Sequence, residues 1–292
     1  MKAAPFTLHR PKTVDEATAL LADVAEDGGL VLAGGQSLIP MMALRVAYPP
    51  HLVDINAIDV LSQIKVADSA VSIGATVRHA AFHRALPEAG VLGRLLSTVV
   101  RHIAHYPIRQ RGTFCGSLAH ADPASEWCLV AATLDASVML KSTSGTRSVP
   151  AAEYLEGAMA TAREPEEIVV EVRLPLLSDN ARFGFYEFSR RAGDFALGMT
   201  LAAYDLAGGE MRNVRIGLGG IEKKARRITA AEAVLEGQKP DEEAFSAAAD
   251  AAMADVDAME DASTSQEYRR DLAGVAIRRA LKAIMVAATA AK

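Results

Sequence analysis

The stretch Val31-Leu-Ala-Gly-Gly-Gln-Ser-Leu-Ile-Pro40 holds the first residues whose types and spacing suit a chemical task. Two glycines after a short apolar run permit positive φ and a close approach of backbone to a ligand. A helix beginning just beyond them aims unpaired N–H groups and the positive end of its dipole into the same space. Ser37 can cap that helix or donate to a phosphate oxygen. The loop suits a pyrophosphate, and it suits an ordinary tight strand–helix turn equally well. The second stretch is His105-Tyr-Pro-Ile-Arg-Gln-Arg-Gly-Thr-Phe-Cys-Gly-Ser-Leu-Ala-His-Ala-Asp-Pro-Ala-Ser-Glu126, where Gly112 and Gly116 bracket an irregular segment rich in hydrogen-bonding side chains. A loop of that size inside a compact domain is more often functional than idle. Arg109 or Arg111 can meet a phosphate, against the default of a solvated arginine, and Glu126 can accept from ligand hydroxyls or simply favour a helix dipole. Two such loops in successive α/β units suggest an extended ligand with a central pyrophosphate, bound between two small domains. A dinucleotide fits. The pattern is not the Rossmann fingerprint, because no Gly-x-Gly-x-x-Gly follows the first strand.

The elements that must position these loops read as follows. Phe6–Leu8 is a short strand, and Thr13-Val-Asp-Glu16 is a capping box opening a helix with Ala17, Leu20, Leu21 and Val24 inward. Leu30–Ala33 is a buried strand, a helix runs near Ser37 to Arg45, and His51–Ile55 closes a βαβ-like unit. Next come a strand at Ala70–Ile73, a short helix capped by Thr76 through His83, and a longer helix over Glu88–Ile103. Residues 105–121 show no period, and Asp122-Pro123 places an acceptor at a cap with proline in the first turn. A hairpin, Ser137–Lys141 and Thr146–Val149, precedes a strand at Ile168–Leu174. From about 177 the style changes to antiparallel strands, Arg182–Arg190, Gly198–Leu206 and Met211–Gly217, followed by helices near 229–236, 241–255 and 266–289. The expected domains are 1–57, 58–176 and 177–292.

Composition removes several classes. With 31 basic and 36 acidic residues the net charge is −5, which argues against nucleic acid as the main partner. Cys115 and Cys128 are the only cysteines, so the chain lacks a disulfide framework and cannot hold a four-cysteine iron–sulfur cluster by itself. The apolar runs fall short of a membrane span, MKAAPFTLHRPKT lacks a signal-peptide core, and the expectation is a cytoplasmic protein.

Ala33-Gly-Gly-Gln-Ser37, Ile108-Arg-Gln-Arg-Gly-Thr-Phe-Cys-Gly-Ser117 and Ala121-Asp-Pro-Ala-Ser-Glu126 resemble the FAD-binding medium subunit of the molybdenum hydroxylases. That group includes carbon monoxide dehydrogenase and the bacterial xanthine dehydrogenase and N-heterocycle hydroxylase complexes. The resemblance continues through Glu167–Pro175, Arg190-Arg-Ala-Gly-Asp-Phe-Ala196, Gly217-Leu-Gly-Gly220 and Glu267-Tyr-Arg-Arg270, so it covers essentially the whole chain. It implies an α+β protein: a two-subdomain FAD-binding fold of the vanillyl-alcohol-oxidase/PCMH type, then a C-terminal domain of antiparallel strands packed with helices. It also implies that Ala33, Gly34, Gly35, Gln36 and Ser37 line the FAD pyrophosphate, with Thr113, Phe114, Cys115, Gly116 and Ser117 as the second loop. By the same resemblance Glu126 contacts the ribityl side, Ile168 borders the isoalloxazine, and Phe195 and Glu187 stand near the ring.

Three positions depart from the pattern. Cys115 replaces the first glycine of a pair, Gln36 stands where some relatives have histidine, and Glu187 stands where lysine is common. Other notable side chains have plain readings: Cys128 and Trp127 as core, Met41 and Met42 as packing under the loop helix, and His102 and His105 as loop-ordering groups. Cys115 and His120 make no closed tetrahedral metal site. Arg269, Arg270, Arg278, Arg279 and Lys282 read as a solvated helix face that can also meet a partner.

The resemblance implies an electron-transfer subunit with no catalytic acid, base or nucleophile of its own, since the redox chemistry belongs to the cofactor. Its partners are a large molybdopterin subunit and a small subunit with [2Fe–2S] clusters, assembled as a dimer of heterotrimers. The Gln36 loop is more similar to subunits acting on N-heteroaromatic compounds than to those for carbon monoxide, aldehydes or purines. The competing expectation is a stand-alone FAD reductase resembling UDP-N-acetylmuramate dehydrogenase. Its Asn-Ala-Gly-Ala-Tyr stretch is replaced here by His120-Ala-Asp-Pro.

Overall fold

A computed structural model describes residues 2–290, with side chains through 286. In chain order β1 (Thr7–His9), α1 (Val14–Val24), β2 (Leu30–Leu32), α2 (Leu38–Ala43) and β3 (His51–Asp54) form a parallel three-stranded sheet, ordered β1-β3-β2, with its crossover helices. The register sets Thr7 beside His51 and Leu30 beside Leu52. Thr13 accepts from the Glu16 amide at 3.1 Å, while the Glu16 carboxylate reaches back to the Lys12 amide at 2.8 Å, one residue beyond the usual capping box.

The second sheet is antiparallel. Its members are β4 (Ile64–Val66) and β5 (Ala70–Gly74), and, after α3 (Gly90–Val99), α4 (Tyr106–Arg109), α5 (Phe114–His120) and α6 (Glu126–Thr133), β6 (Ser137–Ser142) and β7 (Gly145–Pro150). A short helix α7 (Ala151–Tyr154) and a small hairpin, β8 (Leu155–Gly157) with β9 (Ala160–Thr161), precede its central strand β10 (Ile168–Pro175). The order is β4-β5-β10-β6-β7. Both sheets share one core, in which Leu21, Val53, Ile73, Phe82, Leu96, Trp127 and Val172 are all buried.

The third sheet, β11 (Ala181–Phe188), β12 (Gly198–Ala207), β13 (Glu210–Gly219) and β14 (Arg226–Arg227), is antiparallel in sequence order. It is followed by α8 (Thr229–Leu235), α9 (Glu242–Asp255) and α10 (Gln266–Ala290). The sheet is covered on both faces, which explains why β12 is buried without a break from Gly198 to Tyr204. A side chain at Gly217 would collide with Thr133 and Leu129 of α6, and one at Gly184 with the Ala280 carbonyl of α10. The odd residue Leu201 joins the first core, and its neighbour Ala202 joins the second with Ile216, Phe245 and Ile277. Among the described residues no helix is long and apolar enough to cross a membrane.

Five sequence expectations need correction here. The segment 105–121 is not irregular: Thr113 caps α5 by accepting from the Gly116 amide at 3.0 Å, so the second loop is a helix start. Asp122-Pro123 does not open α6; Ala121 stands at φ +52 to end α5, Asp122 accepts from the Ala124 amide, and Ser125 is the cap. Ser37 makes no capping hydrogen bond, and Thr76 is buried ahead of a 3-10 turn, His79–His83, that it does not cap. Arg269 is not on a solvated face: it is buried, bonded to the carbonyls of Leu197 and Gly220 and to Asp261, while Arg279 lies over the Tyr186 ring.

Candidate functional site

The C-terminal end of β2 and the N-terminal end of α5 meet across a cavity of about 410 Å³. Its walls include Ala33, Gly34, Gly35, Gln36 and Ser37 from one side and Thr113, Cys115, Gly116 and Ser117 from the other. Ile168 and Val169 at the start of β10 also line it, as do Met159, Arg163, His120 and Met41. The two loops touch through their backbones. A Cβ on Gly34 would lie 2.5 Å from the Arg111 carbonyl oxygen and 2.7 Å from the Gly112 Cα. Gly35, at φ +71, makes the turn that sends the chain into α2.

This loop is rich in unused donors. The amides of Gly34, Gly35, Gln36, Ser37 and Leu38 have no acceptor among the described residues, nor do the hydroxyls of Ser37 and Ser117. Successive free N–H groups in a concave turn make an anion-binding nest. The Gln36 side chain folds back to donate to the Gly34 carbonyl at 3.0 Å, which stiffens the turn.

A hydrogen-bonded chain that the sequence reading missed holds the loops in register. Asn56 donates to the Ala33 carbonyl at 2.8 Å and accepts from Arg78 at 2.6 Å; the second guanidinium nitrogen of Arg78 donates to the Arg111 carbonyl at 2.5 Å. Neither residue sits in a glycine motif, and only their positions just after β3 and β5 place them at the loop ends. Arg109, one of two arginines that could meet a phosphate, is engaged elsewhere: it donates to His83 and to the carbonyls of Ile103 and Ala104.

Cys115 is no obstacle to close approach. Its side chain turns into the core and donates to the Ile73 carbonyl at 3.4 Å, and burial, followed by the charge of Glu171, pushes the thiol far up. Its backbone stays on the cavity side. Cys128 is buried, as its plain reading held.

Four of the residues expected near the ligand do not line this cavity. Phe114 is buried against Phe82 and Trp127, with ring centroids 5.9 Å and 4.7 Å away. Phe195 is 74% exposed, just past Gly193, whose bare Cα lets the His105 ring pack against the backbone. Glu126, in the first turn of α6, and Glu187, on β11, belong to a second cluster with His102. There Glu187 Oε2 is buried without a hydrogen-bond partner, 3.8 Å from His102 Nδ1. Burial, then the charge of Glu126, pushes Glu187 up to about 8, and burial pushes Glu126 up to about 7. Among the described residues no cluster of histidines, cysteines or carboxylates could hold a metal ion.

Comparison with known proteins gives this geometry a context. Residues 4–177 match the family model described as the FAD binding domain in molybdopterin dehydrogenase, and residues 183–284 match the CO dehydrogenase flavoprotein C-terminal domain. The carbon monoxide dehydrogenase medium chain of Hydrogenophaga pseudoflava is 35% identical, over 95% of this chain and 96% of its own. The nicotine 6-hydroxylase medium subunit of Paenarthrobacter nicotinovorans is 34% identical, over 96% of this chain and 98% of its own. A chain in the crystal structure of quinoline 2-oxidoreductase from Pseudomonas putida 86 superposes with a TM-score of 0.91 at 34% identity, covering 97% of this chain and 98% of that one.

Proposed function

The chain belongs to the FAD-binding medium subunits of the molybdenum hydroxylases, and from that premise we propose how it holds its flavin and where its electrons come from. The observation that carries the reading is the donor-lined cavity between the two backbone-contacting loops. A pyrophosphate needs several convergent N–H donors and a wall without side chains. The free amides of Gly34 to Leu38, the hydroxyls of Ser37 and Ser117, and the capped start of α5 fit it. In this reading Ala33–Ser37 and Thr113–Ser117 hold the pyrophosphate and Ile168 borders the ring system, within domains 1–57, 58–176 and 177–292, the last two residues of which lie outside the described ones. Phe114 acts from beneath, packing the second loop onto Trp127. Glu126, Glu187 and Phe195 sit at the boundary with the third sheet, where the ring end is assigned.

Bound FAD supplies the uptake and release of electrons. The chain's part is to bind it, orient it and keep it reachable. The electrons derive from [2Fe–2S] clusters of a small partner subunit after a large molybdopterin subunit hydroxylates the substrate, an N-heteroaromatic compound in preference to carbon monoxide, an aldehyde or a purine. A cytoplasmic dimer of heterotrimers completes the proposal. The chain by itself should show no substrate-dependent dye reduction when mixed, FAD-loaded, with candidate heterocycles; co-expressed partners should restore it. Turnover by the isolated chain would sink the subunit reading.

The flavin should be held without a covalent bond. Cys115 faces the core with its thiol kept protonated by burial, so it offers no thiolate to the flavin. Acid precipitation should therefore leave the yellow colour in the supernatant. Colour retained on the pellet would contradict it.

A further inference from the structure

We propose that His79 is a further FAD-binding residue, its Nε2–H offered to the pyrophosphate between the glycine loops and its tautomer set by Trp127; this rests on the placement of FAD proposed above. His79 lines the cavity, yet it belongs to neither glycine loop and is only 4% exposed. The Trp127 indole N–H donates to His79 Nδ1 at 2.9 Å. An indole nitrogen can only donate, so Nδ1 is the bare nitrogen and the hydrogen resides on Nε2. Trp127 cannot turn away, because Phe82 and Phe114 pack on its ring at 5.4 Å and 4.7 Å.

Nε2 faces the second loop. A Cβ on Gly112 would lie 2.5 Å from it, so the glycine makes room for the imidazole, and the His79 amide donates to the Gly112 carbonyl at 2.9 Å. The ring is thereby fixed to the residue preceding Thr113. Nε2–H has no acceptor among the described residues. His79 lines the cavity, and Nε2 is not among the sealed-off polar atoms, so this free donor stands open to an acceptor oxygen from a ligand. The charged groups around it are cations. Burial first, then Arg109 and Arg78, hold His79 down to about 3. The imidazole thus stays neutral across the physiological range and offers a dipole rather than a charge, in a field that already favours an anion.

The test uses the full-length chain stripped of flavin and titrated with FAD or with riboflavin, which has no phosphate. His79→Phe should weaken FAD binding about ten- to a hundredfold, the scale of a lost hydrogen bond to a charged group, and leave riboflavin binding unchanged. In the unaltered chain with ¹⁵N-labelled histidine, His79 should show a single Nε2–H tautomer from pH 6 to 9. Its Nε2 resonance should move on addition of FAD and stay still with riboflavin. Trp127→Phe should blur that tautomer and weaken FAD binding less. Undiminished FAD affinity in His79→Phe, or an equal loss for both flavins, overturns the role of His79 and leaves the FAD site standing. An unaltered chain that binds no FAD overturns both. If His79→Phe does not fold, the resonance measurement on the unaltered chain decides alone.

Discussion

Gly34→Val should reduce FAD affinity at least about a hundredfold while the third sheet and its helices stay folded. The cause is position, not backbone conformation. The first atom of any side chain at residue 34 would sit 2.5 Å from the Arg111 carbonyl oxygen and 2.7 Å from the Gly112 Cα. Both neighbours are backbone, so no side chain can swing aside and the loops must separate. Separation breaks the Asn56–Arg78 chain that ties the Ala33 carbonyl to the Arg111 carbonyl, and it disperses the free amides of the nest. Overpacking of this kind costs about 1–3 kcal/mol of stability, which a folded chain of this size can bear. A pyrophosphate cradle that depends on sub-ångström convergence of donors cannot. Gly35 is a different case: its φ of +71 strains any side chain, but a Cβ there meets only side-chain carbons of Ile39 and Leu32, at 3.0 Å and 3.3 Å. Gly35→Ala should cost several-fold in affinity. Flavin fluorescence titration with a melting curve on each variant checks the order, and a Gly34→Val chain that retains full flavin would show that the loops are not the cradle.

Glu187→Gln should stabilise the flavin-free chain at alkaline pH and do little at pH 5. The Glu187 side chain is 4% exposed, its Oε2 has no hydrogen-bond partner, and it is held near 8 by burial and by Glu126. Unfolding releases it to the ordinary carboxylate range, about 4.3. Between those values the folded chain binds the proton and the unfolded chain does not, so stability falls as pH rises from about 4 to 8. Above that range a buried carboxylate must be tolerated beside Glu126, with only His102, itself lowered by burial, at 3.8 Å. Gln keeps the shape and never ionises. The expected gain is on the order of 2–4 kcal/mol at pH 8.5, or a melting temperature higher by roughly 5 °C or more, and a flatter stability–pH curve. An unchanged slope between pH 5 and 8.5 would mean that Glu187 is not the proton reservoir. Glu126→Gln should flatten the curve in the same direction but less, since Glu126 is held only near 7.

Local elements were legible wherever one short-range cue decided them. Thr13 capped its helix as the sequence indicated, and the expected hairpin formed from β6 and β7, joined by Thr143-Ser144, while Gly208-Gly209 joined β12 to β13. The segment 105–121 was misread because its two helices are only a turn or two long, too short for an apolar period to emerge. Asp122-Pro123 carried a correct capping chemistry that was spent on a different bond. Asp122 turned its oxygen to the Ala124 amide, and the Pro123 carbonyl accepts from Gly220 of the third unit, so the helix starts at Glu126.

The sequence by itself determined that two glycine-bearing loops, about eighty residues apart, would lie in successive α/β units. Glycine at those points is a local demand, written in residue type. Only the tertiary structure decided which glycine touches which loop, that Asn56 and Arg78 tie the loops together, and that the Cys115 thiol points into the core. It alone turned Trp127 from a packing residue into the donor that fixes His79, and brought Glu187 from β11 against His102 and close to Glu126. These are contacts between residues dozens of positions apart. Their distances depend on how three sheets share their cores, which no window of sequence contains.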